Sequence, residues 1–315
     1  MTQPAGESLA RLATEQVRYE LRELDRMPVD QLVALMCADA RRAPEAVVSA
    51  SEAIARAVDA IVERLEGSGR LVYVGAGTAG RLGVLDASEA GPTFNVPAGQ
   101  VVAVLAGGLG AFSEPVEDAE DDAAAAVAAL RTLAIDERDA VVGISASGLT
   151  PYVLGAIDWA RSRGALTVGI ACNVGSPLCA RAKIAIEIPV GAEFVAGSTR
   201  LNAGTAQKIV LNILSTATMV RLGKTYGNLM VDVRANNEKL RDRAVRIVSE
   251  ITGAPGASAR SALEGSGWET KVAVLMLAGS IDVNEARSRL DRAHGRLRPA
   301  LEALSSGGER PVGPR

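Results

Sequence analysis

Leu71-Val72-Tyr73-Val74-Gly75-Ala76-Gly77-Thr78-Ala79-Gly80-Arg81 is the stretch that decides the fold. A short apolar run that stops in glycines reads as a strand buried on both faces of a parallel sheet. The G-x-G-x-x-G that follows reads as the turn from that strand into a helix. There glycine lets backbone N–H groups approach an anion, and the helix N-terminus adds positive potential. Moving outward, the same unit recurs. Apolar strands are expected at Val101–Leu105, Ala140–Ile144, Leu166–Ile170 and Ile184–Ile188, with helix-like stretches near 79–89, 114–133, 151–163 and 176–182 and a long one over 199–222. Five strands alternating with helices predict an α/β fold, an open, doubly wound parallel sheet with helices on both faces.

Upstream, residues 5–67 read as helical, from Leu9, Leu12, Val17 and Leu21 through Ile54, Val58, Ile61, Val62 and Leu65, until Gly67 and Gly69 stop the run. Downstream of 235 the strands vanish. Asn237-Glu238-Lys239-Leu240 opens an amphipathic stretch, and two or three further helices reach about 305. The domains expected are an N-terminal helical segment at 1–58, the sheet domain at 59–224, a small helical domain at 235–304, and a disordered tail at 305–315 rich in Gly, Pro and Ser.

Composition narrows the chemistry. The 315 residues hold one His and three Cys, too few for the usual zinc ligand sets, so no metal is expected. With 34 Lys+Arg against 37 Asp+Glu and 3% aromatic residues, neither phosphate-backbone attraction nor base stacking is favoured, which argues against nucleic acid as a partner. No run of about 18 uncharged apolar residues appears, so no membrane span is expected. The odd cysteine count (Cys37, Cys172, Cys179), without a basic-then-apolar leader, predicts a cytoplasmic protein without disulfides.

A ligand in such a sheet sits beyond the carboxyl ends of the strands. The first loop there offers Gly77, Thr78, Gly80 and Arg81. A dinucleotide would also want an acidic residue after the second strand, and Leu105-Ala106-Gly107-Gly108-Leu109-Gly110 has none, so a smaller phosphate ester is favoured. The loop after the third strand, Ser145-Ala146-Ser147-Gly148-Leu149-Thr150, brings hydroxyls and a glycine to a helix begun by Pro151. Ser147, Gly148 and Thr150 are therefore candidate anion ligands, with simple capping by Ser147 or Thr150 as the alternative. After the fifth strand, Glu193, Ser198 and Thr199 complete the candidate set, and Ser198 or Thr199 would cap the long helix. Two carboxylates remain. Glu89 ends the first sheet helix; Glu120 lies in Val116-Glu117-Asp118-Ala119-Glu120-Asp121-Asp122, which reads either as a solvated helix face or as part of an acid–base pair.

These motifs carry a resemblance. The run Gly75–Arg81 with Leu82-Gly83-Val84-Leu85-Asp86-Ala87-Ser88-Glu89, the Val116–Asp121 segment, Ser147–Val153, Gly197-Ser198-Thr199-Arg200 with Ala203–Lys208, and Gly227–Val233 with Asn237–Leu240 resemble the N-acetylmuramic acid 6-phosphate etherases over about residues 14–300. The resemblance implies a flavodoxin-like sugar-isomerase (SIS) domain of five parallel strands that binds a phosphosugar. It also implies a small C-terminal helical domain of the ubiquitin-associated (UBA) type, and a homodimer. The implied reaction splits the D-lactyl ether of N-acetylmuramic acid 6-phosphate into N-acetylglucosamine 6-phosphate and D-lactate, by elimination and water addition, in cell-wall recycling. No metal or organic cofactor is implied. Glu89 stands at the position that protonates departing lactate and activates water, and Glu120 at that of the second glutamate, assigned to proton abstraction. The motif after the fifth strand also resembles glucokinase regulatory proteins, so a non-catalytic phosphosugar-binding regulator is an alternative, as is a lyase or isomerase of another amino-sugar phosphate. Five departures stand out. The family usually has serine at Ala79, cysteine-proline at Ala90-Gly91, arginine at Leu149, lysine at Asn202, and asparagine at Arg18. Ala79, Leu149 and Asn202 together would remove one hydroxyl and two cations from around an anionic substrate.

Overall fold

The computed structural model describes residues 10–114, 116–233, 235 and 237–306. The chain divides into two compact units, Met1–Ser88 with Ala98–Thr218, and Glu89–Pro97 with Met219–Arg315.

In the first unit the helical reading of the N-terminal segment holds for α1 (Val29–Asp39), α2 (Arg42–Ser49) and α3 (Ser51–Glu66). It fails before them. Residues 13–26 form three single 3-10 turns, at Ala13–Glu15, Tyr19–Leu21 and Leu24–Arg26. The apolar spacing there does not mark a buried face, since Val17 is exposed while Leu21 is buried. Tertiary contacts hold the backbone instead: the Thr14 N–H donates to Asn173 Oδ1 at 3.4 Å, and Asn173 Nδ2 donates to Thr14 Oγ1 at 3.1 Å. Leu9 lies outside the described residues.

The sheet follows the expected plan. β1 (Leu71–Gly75), β2 (Val101–Leu105), β3 (Ala140–Ser145), β4 (Leu166–Ala171) and β5 (Ile184–Glu187) pair in parallel in the order β2-β1-β3-β4-β5. Alternate side chains of β1 face opposite ways. Val72 and Val74 pack with Val141 against Ala126 and Leu130 of α5 (Ala123–Thr132) and against Val153 and Ile157 of α6 (Pro151–Ser162). Tyr73 turns to the other face, covered by α4 (Gly77–Phe94) and α8 (Asn202–Arg221). Its hydroxyl donates to Asp86 Oδ2 at 2.8 Å, while Asp86 Oδ1 accepts from Asn212 Nδ2 and Ser215 Oγ. Burial raises the Asp86 carboxyl above its ordinary value, and those three bonds offset part of the rise. The short α7 (Pro177–Arg181) links β4 to β5, capped by Ser176. Cys172 lies in the core, where burial pushes its thiol up and leaves it inert.

In the second unit, β6 (Thr225–Tyr226) and β7 (Leu229–Met230) form a small antiparallel hairpin. α9 (Glu238–Thr252) follows, capped at one end by Asn237 and closed at the other by Gly253. Among the described residues four helices come after it, one more than the apolar spacing suggests: α10 (Gly256–Gly265), α11 (Thr270–Gly279), α12 (Val283–Arg292) and α13 (Leu297–Ser306). Val248, Leu263, Val272, Leu275 and Leu297 form its core. Trp268 joins α10 to α11 beneath the Arg241 guanidinium, 4.9 Å from the ring centroid. Most of the tail expected to be disordered, residues 307–315, lies outside the described residues.

Candidate active site

With strand order β2-β1-β3-β4-β5, the connections leaving β1 and β3 diverge, and a crevice opens at their carboxyl ends. A cavity of about 640 Å³ occupies it.

The loop after β1 supplies one wall through Gly77, Thr78 and Ala79. Gly77 has φ +52°, a left-handed conformation costly for a side chain, and a Cβ there would meet nothing within 4 Å. The first N–H groups of α4 have no intrahelical acceptor, so this wall presents backbone donors and the positive end of an 18-residue helix. Gly80 does not line the cavity. It lets the helix close on the strand: a Cβ there would lie 2.5 Å from Gly75 O and 2.5 Å from Leu105 Cδ1. Arg81 is also turned elsewhere, its Nε donating to the carbonyls of Ala111 and Phe112 at 3.1 and 3.0 Å, so it ties down the 3-10 turn after β2.

The loop after β3 supplies the facing wall through Ser145, Ser147 and Thr150. The three hydroxyls form one cluster, with Ser145 Oγ 2.8 Å from Thr150 Oγ1 and 3.3 Å from Ser147 Oγ. Ser145 and Ser147 also accept from the backbone N–H of Gly148 and Leu149. Thr150 occupies the cap position of α6 but makes no side-chain cap bond, which leaves its hydroxyl to the cluster. Gly148, left-handed at φ +72°, makes the turn and does not line the cavity.

Glu120 belongs to the same cavity, together with Asp121. The helix expected from 114 begins only at Ala123, with Asp122 Oδ1 accepting from the Ala125 N–H at 2.8 Å. Glu120 is therefore not on a solvated helix face. It lies in the turn before α5, held at the cavity by the Tyr152 N–H, which donates to its carbonyl at 3.0 Å. Glu89, which belongs to the second unit, is exposed and is not among the cavity-lining residues.

After β5 the roles expected from sequence redistribute. Thr199 lines the cavity, whereas Ser198 does not. Neither caps α8. Glu193, 1% exposed, does so, its carboxylate accepting from the N–H groups of Asn202 and Ala203 at 2.9 and 2.8 Å. Burial raises this carboxyl above its ordinary value, and the two N–H groups offset part of that rise.

Three polar lining residues were not singled out from the sequence: Asp121, Gln207 and Glu15. Asp121 stands beside Glu120 in the same turn. Gln207 faces the cavity from inside α8, one turn beyond Gly204. Glu15 arrives from the N-terminal turns, held by neighbouring Thr14. Of the latter two, only Gln207 had a local signal, its three-residue offset from a helical glycine. Among the described residues, no Lys or Arg lines the cavity.

Comparison with known proteins settles the family. Profiles of the glucokinase regulatory protein N-terminal SIS domain and of the SIS domain match residues 53–161 and 112–217. An N-acetylmuramic acid 6-phosphate etherase of Rubrobacter xylanophilus is 57% identical over 295 residues, which is 94% of this chain and 97% of that protein. Proteins of the same name from Streptomyces avermitilis and Serratia proteamaculans are each 52% identical, over 94% and 88% of this chain and 95% and 94% of their own. The chain belongs to the N-acetylmuramic acid 6-phosphate etherase family.

The departures from the usual etherase pattern separate in space. Ala79 and Leu149 line the cavity; Asn202 does not. Its side-chain amide donates to Asp39 Oδ2 at 2.6 Å, beside ion pairs from Arg18 and Arg42 to Asp39 Oδ1. The expectation that Asn202 depletes the anion site of a cation is thus corrected, because that position faces an internal carboxylate. Leu149 is the cavity position at which a cation is missing relative to the etherase pattern. Leu149→Arg should tighten phosphosugar binding about tenfold at low salt, the weaker end of an ionic hydrogen bond of about 1.5–3 kcal/mol. Calorimetric titration at two salt concentrations checks it, since a partly exposed pair weakens with salt.

Proposed function

We propose that this chain cleaves the D-lactyl ether of N-acetylmuramic acid 6-phosphate, releasing D-lactate and N-acetylglucosamine 6-phosphate. The observation that carries the reading is 57% identity, over 94% of this chain, to an etherase of that name. The cavity agrees with it chemically. Two helix N-termini and a hydroxyl cluster suit a phosphomonoester, and Glu120 stands in the same cavity as those donors.

In this reading the sugar enters in its open-chain form, with the proton at C2 acidified by the C1 aldehyde. Glu120 removes that proton, and the electron pair forms the C2–C3 double bond as lactate leaves C3. Glu89 protonates the departing lactate oxygen and then takes a proton from the water that adds at C3, while Glu120 returns its proton to C2. Residues 59–224 act as the phosphosugar-binding domain, and residues 235–304 as a separate helical domain. The partner is a small phosphosugar. A homodimer is supported by α1, where Val29, Val33, Leu35 and Met36 are exposed, as is Val48 of α2. Among the described residues no helix is long and apolar enough to cross a membrane, and we place the enzyme in the cytoplasm.

Incubation with N-acetylmuramic acid 6-phosphate and an enzymatic assay for D-lactate tests the reading. The parent should release D-lactate, and Glu89→Ala should lose that release while still folding, because Glu89 is exposed. The match to the glucokinase regulatory protein domain sustains a second reading, a phosphosugar-binding regulator. Saturable binding without D-lactate would select it.

A further inference from the structure

Gln207 stands out among the buried polar groups. It is 1% exposed, and its Nε2 has no hydrogen-bond partner within the chain. A buried amide left in that condition is costly, and folded proteins leave few of them. Thr218, Ser249 and Thr270 also have unpartnered buried hydroxyls, but none of these lines the cavity, whereas Gln207 does. Its place on α8 fixes what it faces. Gly204, one turn earlier on the same side of the helix, approaches the first loop so closely that a Cβ there would lie 3.2 Å from Thr78 Cγ2. Gln207 thus stands next along a helix face that meets the α4 N-terminus. A carboxamide –NH₂ can only donate.

We infer that Gln207 is a substrate-binding residue whose side-chain N–H donates to an acceptor oxygen of the phosphosugar, so that the bound ligand completes a hydrogen bond the protein leaves open. This rests on the phosphosugar reading above and adds to it a donor from α8, distinct from the two anion loops. The inferred role sets apart two quantities that usually fall together, stability and affinity. Removing an open donor relieves the free protein and weakens the complex.

The test compares the parent with Gln207→Met, which keeps the length and volume of the side chain without the donor, and with Gln207→Glu, which turns the donor into an acceptor. Thermal unfolding without ligand is measured beside calorimetric titration with N-acetylglucosamine 6-phosphate and with inorganic phosphate. Gln207→Met should unfold at the parent temperature or above it and bind the sugar phosphate at least tenfold more weakly; Gln207→Glu should bind more weakly still. A loss shared by inorganic phosphate puts the contact on phosphate oxygens, and a loss confined to the sugar phosphate puts it on the sugar. Affinity within twofold of the parent in both variants overturns the inference. So does a lowered unfolding temperature with unchanged affinity, which is the mark of a packing role. If Gln207→Met does not fold, Gln207→Asn, which keeps the amide but withdraws it by one methylene, replaces it under the same criteria. A parent that binds N-acetylglucosamine 6-phosphate yet releases no D-lactate overturns the etherase reading and leaves the Gln207 comparison standing.

Discussion

Glu120→Gln should lower the rate of D-lactate release about 10²- to 10⁴-fold, the usual contribution of a positioned general base. It should leave affinity for N-acetylglucosamine 6-phosphate within about threefold of the parent. The structure explains why the change should be so selective. The main chain of Glu120 is anchored by the Tyr152 N–H, an interaction the substitution does not touch. The side chain is exposed at the cavity and packs into no core, so stability should move by no more than about 0.5 kcal/mol. Glutamine keeps the shape and polarity and removes only the ability to take a proton. Loss confined to kcat is the signature of an interaction made in the transition state alone. Single-turnover lactate release measured beside product titration separates the two, and a rate within threefold of the parent would remove Glu120 from the proton transfer.

The sheet was legible because its strands are continuous apolar runs bounded by glycine, a pattern that a strand buried on both faces produces and an amphipathic helix does not. What was not legible depended on contacts distant in sequence. The spacing of Leu12, Val17 and Leu21 satisfies a helix template, yet Thr14 is bound to Asn173, far along the chain, and the local pattern carries no trace of it. Residues 114–122 likewise look like the first turns of an acidic helix. Asp122 caps the helix that does form, and the turn before it brings Glu120 to the cavity. Local charge favours either outcome near a helix start, so the choice rests on the Tyr152 anchor from another element.

The site was readable where backbone chemistry makes it, in the glycine turn after β1 and the hydroxyl turn after β3. It was less readable where a motif residue serves the scaffold. Arg81 and Glu193 are charged, motif-embedded and near the crevice, which makes them look like ligands. One holds the turn after β2 and the other caps α8. Conversely, Gln207 and Glu15 line the cavity from segments with no loop signature at all.

The exchange of charge around Asp39 should behave as a coupled pair: Arg18→Asn alone should cost about 2 kcal/mol of stability, and adding Asn202→Lys should restore most of it. Asp39 has only 6% of its side chain exposed and is met by Arg18, Arg42 and the Asn202 amide. The usual family pattern has asparagine at 18 and lysine at 202, so this chain carries at 18 the cation that the pattern carries at 202. Removing one partner of a buried pair typically costs about 3–5 kcal/mol, reduced here because Arg42 remains and Arg18 is partly exposed. Asn202→Lys alone should also destabilise, since it adds a cation where Arg18 and Arg42 already stand, and the double-mutant cycle should show a coupling of at least about 1 kcal/mol. Acid gives a second check. Burial raises the Asp39 carboxyl, but the bonds from Arg18, Arg42 and Asn202 outweigh it and hold the group below its ordinary value of 3.8. A depressed folded pKa stabilises the protein above that value, and the gain is lost as pH falls through the folded pKa below it. Parent and Arg18→Asn should therefore differ fully at neutral pH and converge as acid protonates Asp39. Denaturant unfolding across that range decides the matter, since a difference that persists with Asp39 protonated would mean that Arg18 acts through its bond to Glu20 or through packing and not through Asp39.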